Sequence, residues 1–187
     1  MLRPPLLMLM LMLASPLLPT SSQAAGAAQS FESCSMITSE YLTVLQLMSR
    51  GFGRDTLMAN LPEISEPAQA RVNSLFSMVE TDGLTESYSR INAEYSSCAK
   101  GVYQARGTPA TGSREAHFYF CAGENKVRYE IVMAAVIGAD RADVTPQLPP
   151  QYRPTVNALF DLHRSEGPLT VFDELASELK KCLIQRP

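Results

Sequence analysis

Val72-Asn73-Ser74-Leu75-Phe76 and Val156-Asn157-Ala158-Leu159-Phe160 are two versions of one pentapeptide, and each precedes a cysteine by 26 residues, Cys98 and Cys182 respectively. The same offset of 84 positions pairs Gly83 with Gly167 and Glu94 with Glu178. Upstream, after a three-residue length difference, an offset of 87 pairs Cys34 with Cys121, Gly51 with Gly138, Arg54 with Arg141, Leu61 with Leu148 and Pro62 with Pro149. Twelve identities in one order, with both cysteines and paired glycines among them, point to an internal duplication.

The periodicity inside each copy is helical. Cys34, Ile37, Tyr41, Val44, Leu45 and Met48 recur at three- and four-residue spacing, one stripe of a helix. Gly51 and Gly53 end that stripe, and a short helix over 54–60 follows. Pro67 suits the first turn of the next helix, whose apolar face is Val72, Leu75, Phe76 and Val79, with Gly83 as its stop. Tyr88, Ile91, Tyr95, Cys98 and Val102 form the last stripe of the copy. The second copy repeats the plan: a helix around 118–137, a break at Gly138, a helix over 154–164, and after Gly167 a stripe of Phe172, Leu175, Leu179 and Cys182. No segment has the alternation or β-branched density of a strand. The expected fold is all-α, a tandem repeat of two small disulfide-stapled units of about four helices each, one of them short, packed as a single helical bundle. The units are 25–106 and 113–187, joined by a linker over 107–112, and Ser113 is placed to cap the next helix.

The first residues read as an export signal. Arg3 is the lone charge before Glu32, the apolar run Leu6–Leu18 is shorter than the ~20 residues a spanning helix needs, and Ser22-Gln23-Ala24 fits a small-x-small cleavage site. Residues 1–24 are therefore expected to be removed, leaving a periplasmic or secreted chain with no stable membrane insertion. Export into an oxidising compartment turns four widely spaced cysteines into disulfides. Both cysteines of a copy lie on apolar stripes facing one core, which favours Cys34–Cys98 and Cys121–Cys182 over a Cys98–Cys121 link.

The 187 residues carry 16 Lys+Arg against 19 Asp+Glu, a net charge of -3, with 45% hydrophobic and 19% charged residues. That composition folds, and it lacks the basic footprint of a nucleic-acid binder. No cofactor or metal motif is present. Ser97-Cys98-Ala99-Lys100 matches a Ser-x-x-Lys pattern, but with no partner motif it reads as a solvated helix end. His117 and His163 stand beside no recognisable nucleophile, and His163 reads as a core-edge residue. Arg54 and Arg141, matched arginines just past the helix stops, are expected to do a structural job, such as bonding the last carbonyls of the first helix of each copy, rather than capture a ligand. Glu124 and Arg128 take the places of Ile37 and Tyr41, so with Asn125 they form a candidate polar, partner-facing patch on the second copy. Their plain alternative is a surface ion pair worth ~0.3–0.5 kcal/mol.

A small exported all-α unit whose disulfide joins its first and last helices resembles periplasmic acid-stress chaperones and secretion-system immunity proteins in architecture. No motif is shared, so no residue role follows from the resemblance. The expected function is a non-catalytic binding protein whose partner is another protein, as a chaperone, inhibitor or immunity-type factor. The rival expectation is a small periplasmic hydrolase-like enzyme. Intact-mass analysis of protein recovered from its exporting host should show the loss of residues 1–24; a full-length chain in the membrane fraction would contradict the export reading.

Overall fold

The stripe that starts at Cys34 becomes α1 (Phe31–Ser49), opened by a capping box in which Ser30 and Ser33 bond each other's backbone N–H groups. It stops where Gly51 turns to φ 87°, a left-handed value that side-chain-bearing residues resist. The computed structural model describes residues 29–61 and 64–185, which form eight α-helices and no strand. The expected signal segment lies outside the described residues. After α1 come α2 (Arg54–Ala59), α3 (Glu66–Asp82) and α4 (Leu84–Arg106). Then follow α5 (Arg114–Val136), α6 (Arg141–Val144), two 3-10 turns, α7 (Arg153–Glu166) and α8 (Pro168–Ile184). Ser65 and Ser113 cap α3 and α5 through their hydroxyls.

Both disulfides are formed in the pairing that the stripes favour. Cys34 joins α1 to α4 with a Cα separation of 5.9 Å, and Cys121 joins α5 to α8 with 5.8 Å. The four tied helices pack on one another as a central bundle, α1 against α5 and α8, and α4 against α5 and α8. Outside it, α3 lies on α1 and α4, while α7 lies on α5 and α8. Leu42, Leu45, Tyr88, Ile91, Ile131, Val132, Phe172 and Leu175 are buried in a single continuous core drawn from both halves. Each such side chain contributes roughly 1.5–3 kcal/mol on leaving water.

Polar contacts stitch the halves at defined points. The Glu115 carboxylate on α5 accepts from the backbone N–H groups of Phe31 and Glu32, at 2.9 and 3.3 Å, so the start of α1 is closed by a residue of the other half. Buried Gln46 donates to the Asp173 carbonyl at 3.1 Å and to Ser177 Oγ at 3.0 Å, and its own oxygen accepts from Lys180. The Tyr88 and Phe172 rings stack with centroids 6.0 Å apart. Within the first half, Tyr95 Oη and Ser35 Oγ are 2.7 Å apart. Burial pushes the Tyr95 phenol up to about 12, so it keeps its proton throughout the neutral range.

Arg54 and Arg141 do have a structural job, but with partners other than the last carbonyls of α1 and α5. Arg54 pairs with Glu80 of α3 at 3.2 Å and lies 5.3 Å from the Phe76 ring centroid. Arg141 pairs with Asp161 of α7 and lies 5.7 Å from the Phe160 centroid. A carboxylate and an aromatic face one helix away outcompete the nearby carbonyls.

Each disulfide closes a loop of about 60 residues, worth ~4 kcal/mol in the chain-entropy account. Replacing Cys34 and Cys98 together by Ser should therefore lower stability by ~2–5 kcal/mol in urea unfolding. A loss below ~1 kcal/mol would show that the core alone fixes the α1–α4 pairing.

Candidate functional site

The α4–α5 pair is an antiparallel hairpin around the connection 107–113, and its register can be read from three contacts. Tyr103 stacks on Tyr119 at 6.0 Å, Asn125 Nδ2 donates to Asn92 Oδ1 at 2.9 Å, and Ser89 and Tyr129 hydroxyls meet at 3.1 Å. The outward side of this hairpin carries a groove of about 590 Å³. That size falls within the ~300–1,000 Å³ of typical ligand pockets.

Small residues make its floor: Ala99 of α4, Ala122 and Gly123 of α5. A Cβ built on Gly123 would meet no atom within 4 Å, so the space above it is open. Aromatic rings make the walls. Phe31 packs on Tyr119 with centroids 4.9 Å apart, and Tyr119 in turn stacks on Tyr103. Tyr103 and Phe120 stand at the rim, 46% and 59% exposed. The polar groups of the lining are few: Ser96, Ser97 and Lys100 on α4, Glu124 and Lys126 on α5, and the Tyr152 phenol. Ser96 Oγ is spent on the Asn92 carbonyl at 3.1 Å, and Lys126 pairs with Glu130.

Glu124 and Arg128 form the expected ion pair, each partly buried, and Arg128 also donates to the Glu124 carbonyl at 3.3 Å. Tyr152 Oη donates to the second carboxylate oxygen of Glu124. That hydrogen bond, with burial, raises the Tyr152 pKa above the usual tyrosine value. Glu124 thus arrives at the groove already neutralised by one cation and one donor. Together with Glu124 and Arg128, Asn125 borders a second, smaller hollow between α5 and α8. It is 2% exposed, turned inward to Asn92, whose Nδ2 donates to the Tyr88 carbonyl at 2.9 Å. A step of one residue rotates about 100° around a helix, so the neighbour of a surface pair can face the core. Asn125 Oδ1 is left buried without a partner among the described residues.

Ser97 and Lys100 are not at a helix end, because α4 continues to Arg106. Both are exposed and both line the groove, and neither makes a hydrogen bond or ion pair among the described residues. The α4 and α5 stretches of the wall lie inside helices, whose backbone N–H groups are committed to the preceding turn, while the Phe31 N–H is held by Glu115 and the Tyr152 N–H by the Pro149 carbonyl. His117 is half-buried beside the bonded sulfur of Cys121, 3.8 Å away, and His163 is half-buried on α7. Among the described residues, no group of three or more His, Cys, Asp or Glu could hold a metal ion, and no helix is long and apolar enough to cross a membrane. No family model, curated protein or solved structure matches the chain.

The sequence reading found Glu124, Arg128 and the two disulfides, but not Tyr103, Phe120 and Tyr152. A signal was present in Ala99 and Gly123, small residues flanking each other only once α4 and α5 are set in register. The Asn92–Asn125 pair offers a direct check on the hairpin. Asn92→Leu leaves the buried Asn125 amide without its acceptor and should cost ~1–3 kcal/mol, whereas Asn92→Leu with Asn125→Leu should recover most of that loss. Additive losses in chemical denaturation would mean that the two amides are not partners.

Proposed function

We propose that this chain is an exported, non-catalytic helical binding protein whose partner is another protein, and that the α4–α5 groove is its binding element. The observation that carries the reading is the groove with Tyr103 and Phe120 half-exposed on its rim, the kind of aromatic display that interfaces use as anchors. Two disulfides fit an oxidising, extracytoplasmic setting. Ser97 and Lys100 are not bonded to each other and have no oxyanion donors beside them, which argues for recognition over hydrolysis.

The reading extends to origin: residues 25–106 and 113–187 are two versions of one unit related by an approximate two-fold axis. Support comes from contacts between matched positions. Arg54 lies over Phe76 as Arg141 lies over Phe160. Tyr88 and Phe172, matched in the duplication, stack on each other, as residues near a two-fold axis do. Gln46 reaches Asp173, and its counterpart Met133 receives the Ser89 hydroxyl, the counterpart of Asp173, at 3.5 Å.

A photo-crosslinking amino acid placed at Phe120 in the exporting host should give an adduct with one defined protein, while the same group at Ile137, 75% exposed and remote from the groove, should give none. Equal labelling at both positions, or no protein adduct at Phe120, would overturn the reading.

A further inference from the structure

We propose that the occupant of the groove is an amphipathic helix of another protein, about two turns of which enter it, with a carboxylate that bonds to Lys100 and Ser97. This rests on the groove being the binding element.

The first argument is that the two matched places differ in the size of their side chains. In the duplication Gly123 corresponds to Met36 and Ala99 to Leu183. Where the first helix of one half meets the last helix of the other, α1 and α8 thus bring large side chains, and α5 and α4 bring a hydrogen and a methyl group. Glycine weakens a helix interior relative to alanine, and no neighbouring atom forbids a Cβ at Gly123. Packing does not require the glycine; it keeps the floor open.

The second argument is shape. The α4 wall from Ser96 to Tyr103 rises about 10 Å, or two helical turns, enough for anchors at i, i+3 or i+4, and i+7 of a docked helix. A small molecule sunk in the groove would leave the outer faces of Tyr103 and Phe120 wet. A helix laid along the groove covers them.

The third argument is charge. Glu124 is engaged by Arg128 and Tyr152, and Lys126 by Glu130. Lys100, with the Ser97 hydroxyl one turn before it, is the lining cation with no partner among the described residues. An incoming carboxylate satisfies both groups with charge-assisted hydrogen bonds, while an incoming lysine meets Lys100 unfavourably.

The test uses the mature, oxidised chain, labelled with nitrogen-15, and three synthetic helical peptides that share a leucine stripe and differ at the flanking position: glutamate, glutamine or lysine. The glutamate peptide should shift the amide signals of 96–103 and 119–127 and bind about tenfold more tightly than the lysine peptide, with the glutamine peptide between them. Lys100→Gln should erase that ranking, bringing the glutamate and lysine peptides to within about twofold of each other. Gly123→Leu, which keeps the fold by filling open space, should abolish all three interactions. Equal binding of the three peptides would overturn the carboxylate contact and leave the groove as a protein site. Absence of groove shifts with every peptide would overturn the helix proposal, even if crosslinking at Phe120 yields a protein adduct. Groove shifts that depend on protein concentration before any peptide is added would assign the surface to a second copy of this chain and overturn it as well.

Discussion

Cys34–Cys98 and Cys121–Cys182 each hold a first helix against a last helix, and that constraint governs the rest of the molecule. Neither half alone offers much core: short all-helical units of this length bury too little apolar surface to be secure without a covalent staple or a partner. Here both devices operate. The disulfides limit the unfolded ensemble within each half, and the four tied helices bury Leu45, Tyr88, Val132 and Phe172 against one another across the halves. Glu115 closing the start of α1 and Gln46 spanning to α8 add direction to an otherwise non-directional packing. The result holds α4 and α5 in a fixed register, on which the groove depends.

The fold was largely legible because its signals are local. Three- and four-residue apolar spacing marked the helices, and Gly51, Gly83, Gly138 and Gly167 all take positive φ at the breaks they were expected to make. The disulfide pairing was legible because cysteines on stripes must face the core that the stripes build. The structural job of Arg54 and Arg141 was legible from their repetition, but their partners, Glu80 with Phe76 and Asp161 with Phe160, lie on a later helix that spacing within one helix does not locate. Asn125 borders a hollow with Glu124 and Arg128, but its burial against Asn92 depends on the α4–α5 register, which no local pattern specifies. The groove was out of reach, since its floor combines Ala99 and Gly123 from two helices whose register no local pattern specifies.

On the proposed function, the second half trades stability for recognition. In the proposed duplication, α5 carries Gly123, Glu124 and Arg128 where α1 carries Met36, Ile37 and Tyr41. Relative to α1, α5 has less apolar surface there, an ion pair that the Tyr152 phenol joins, and a helix-weakening glycine beside the groove.

The central claim is that one shared core, rather than two independent halves, holds the α4–α5 frame rigid. Native-state hydrogen exchange in rising denaturant measures this directly. The account predicts that the most protected amides of α1, α4, α5 and α8 converge on a single opening free energy equal to that of global unfolding. If the amides of α1 and α4 exchange through a separate, lower-energy opening while α5 and α8 remain protected, the halves are independent and the account is contradicted.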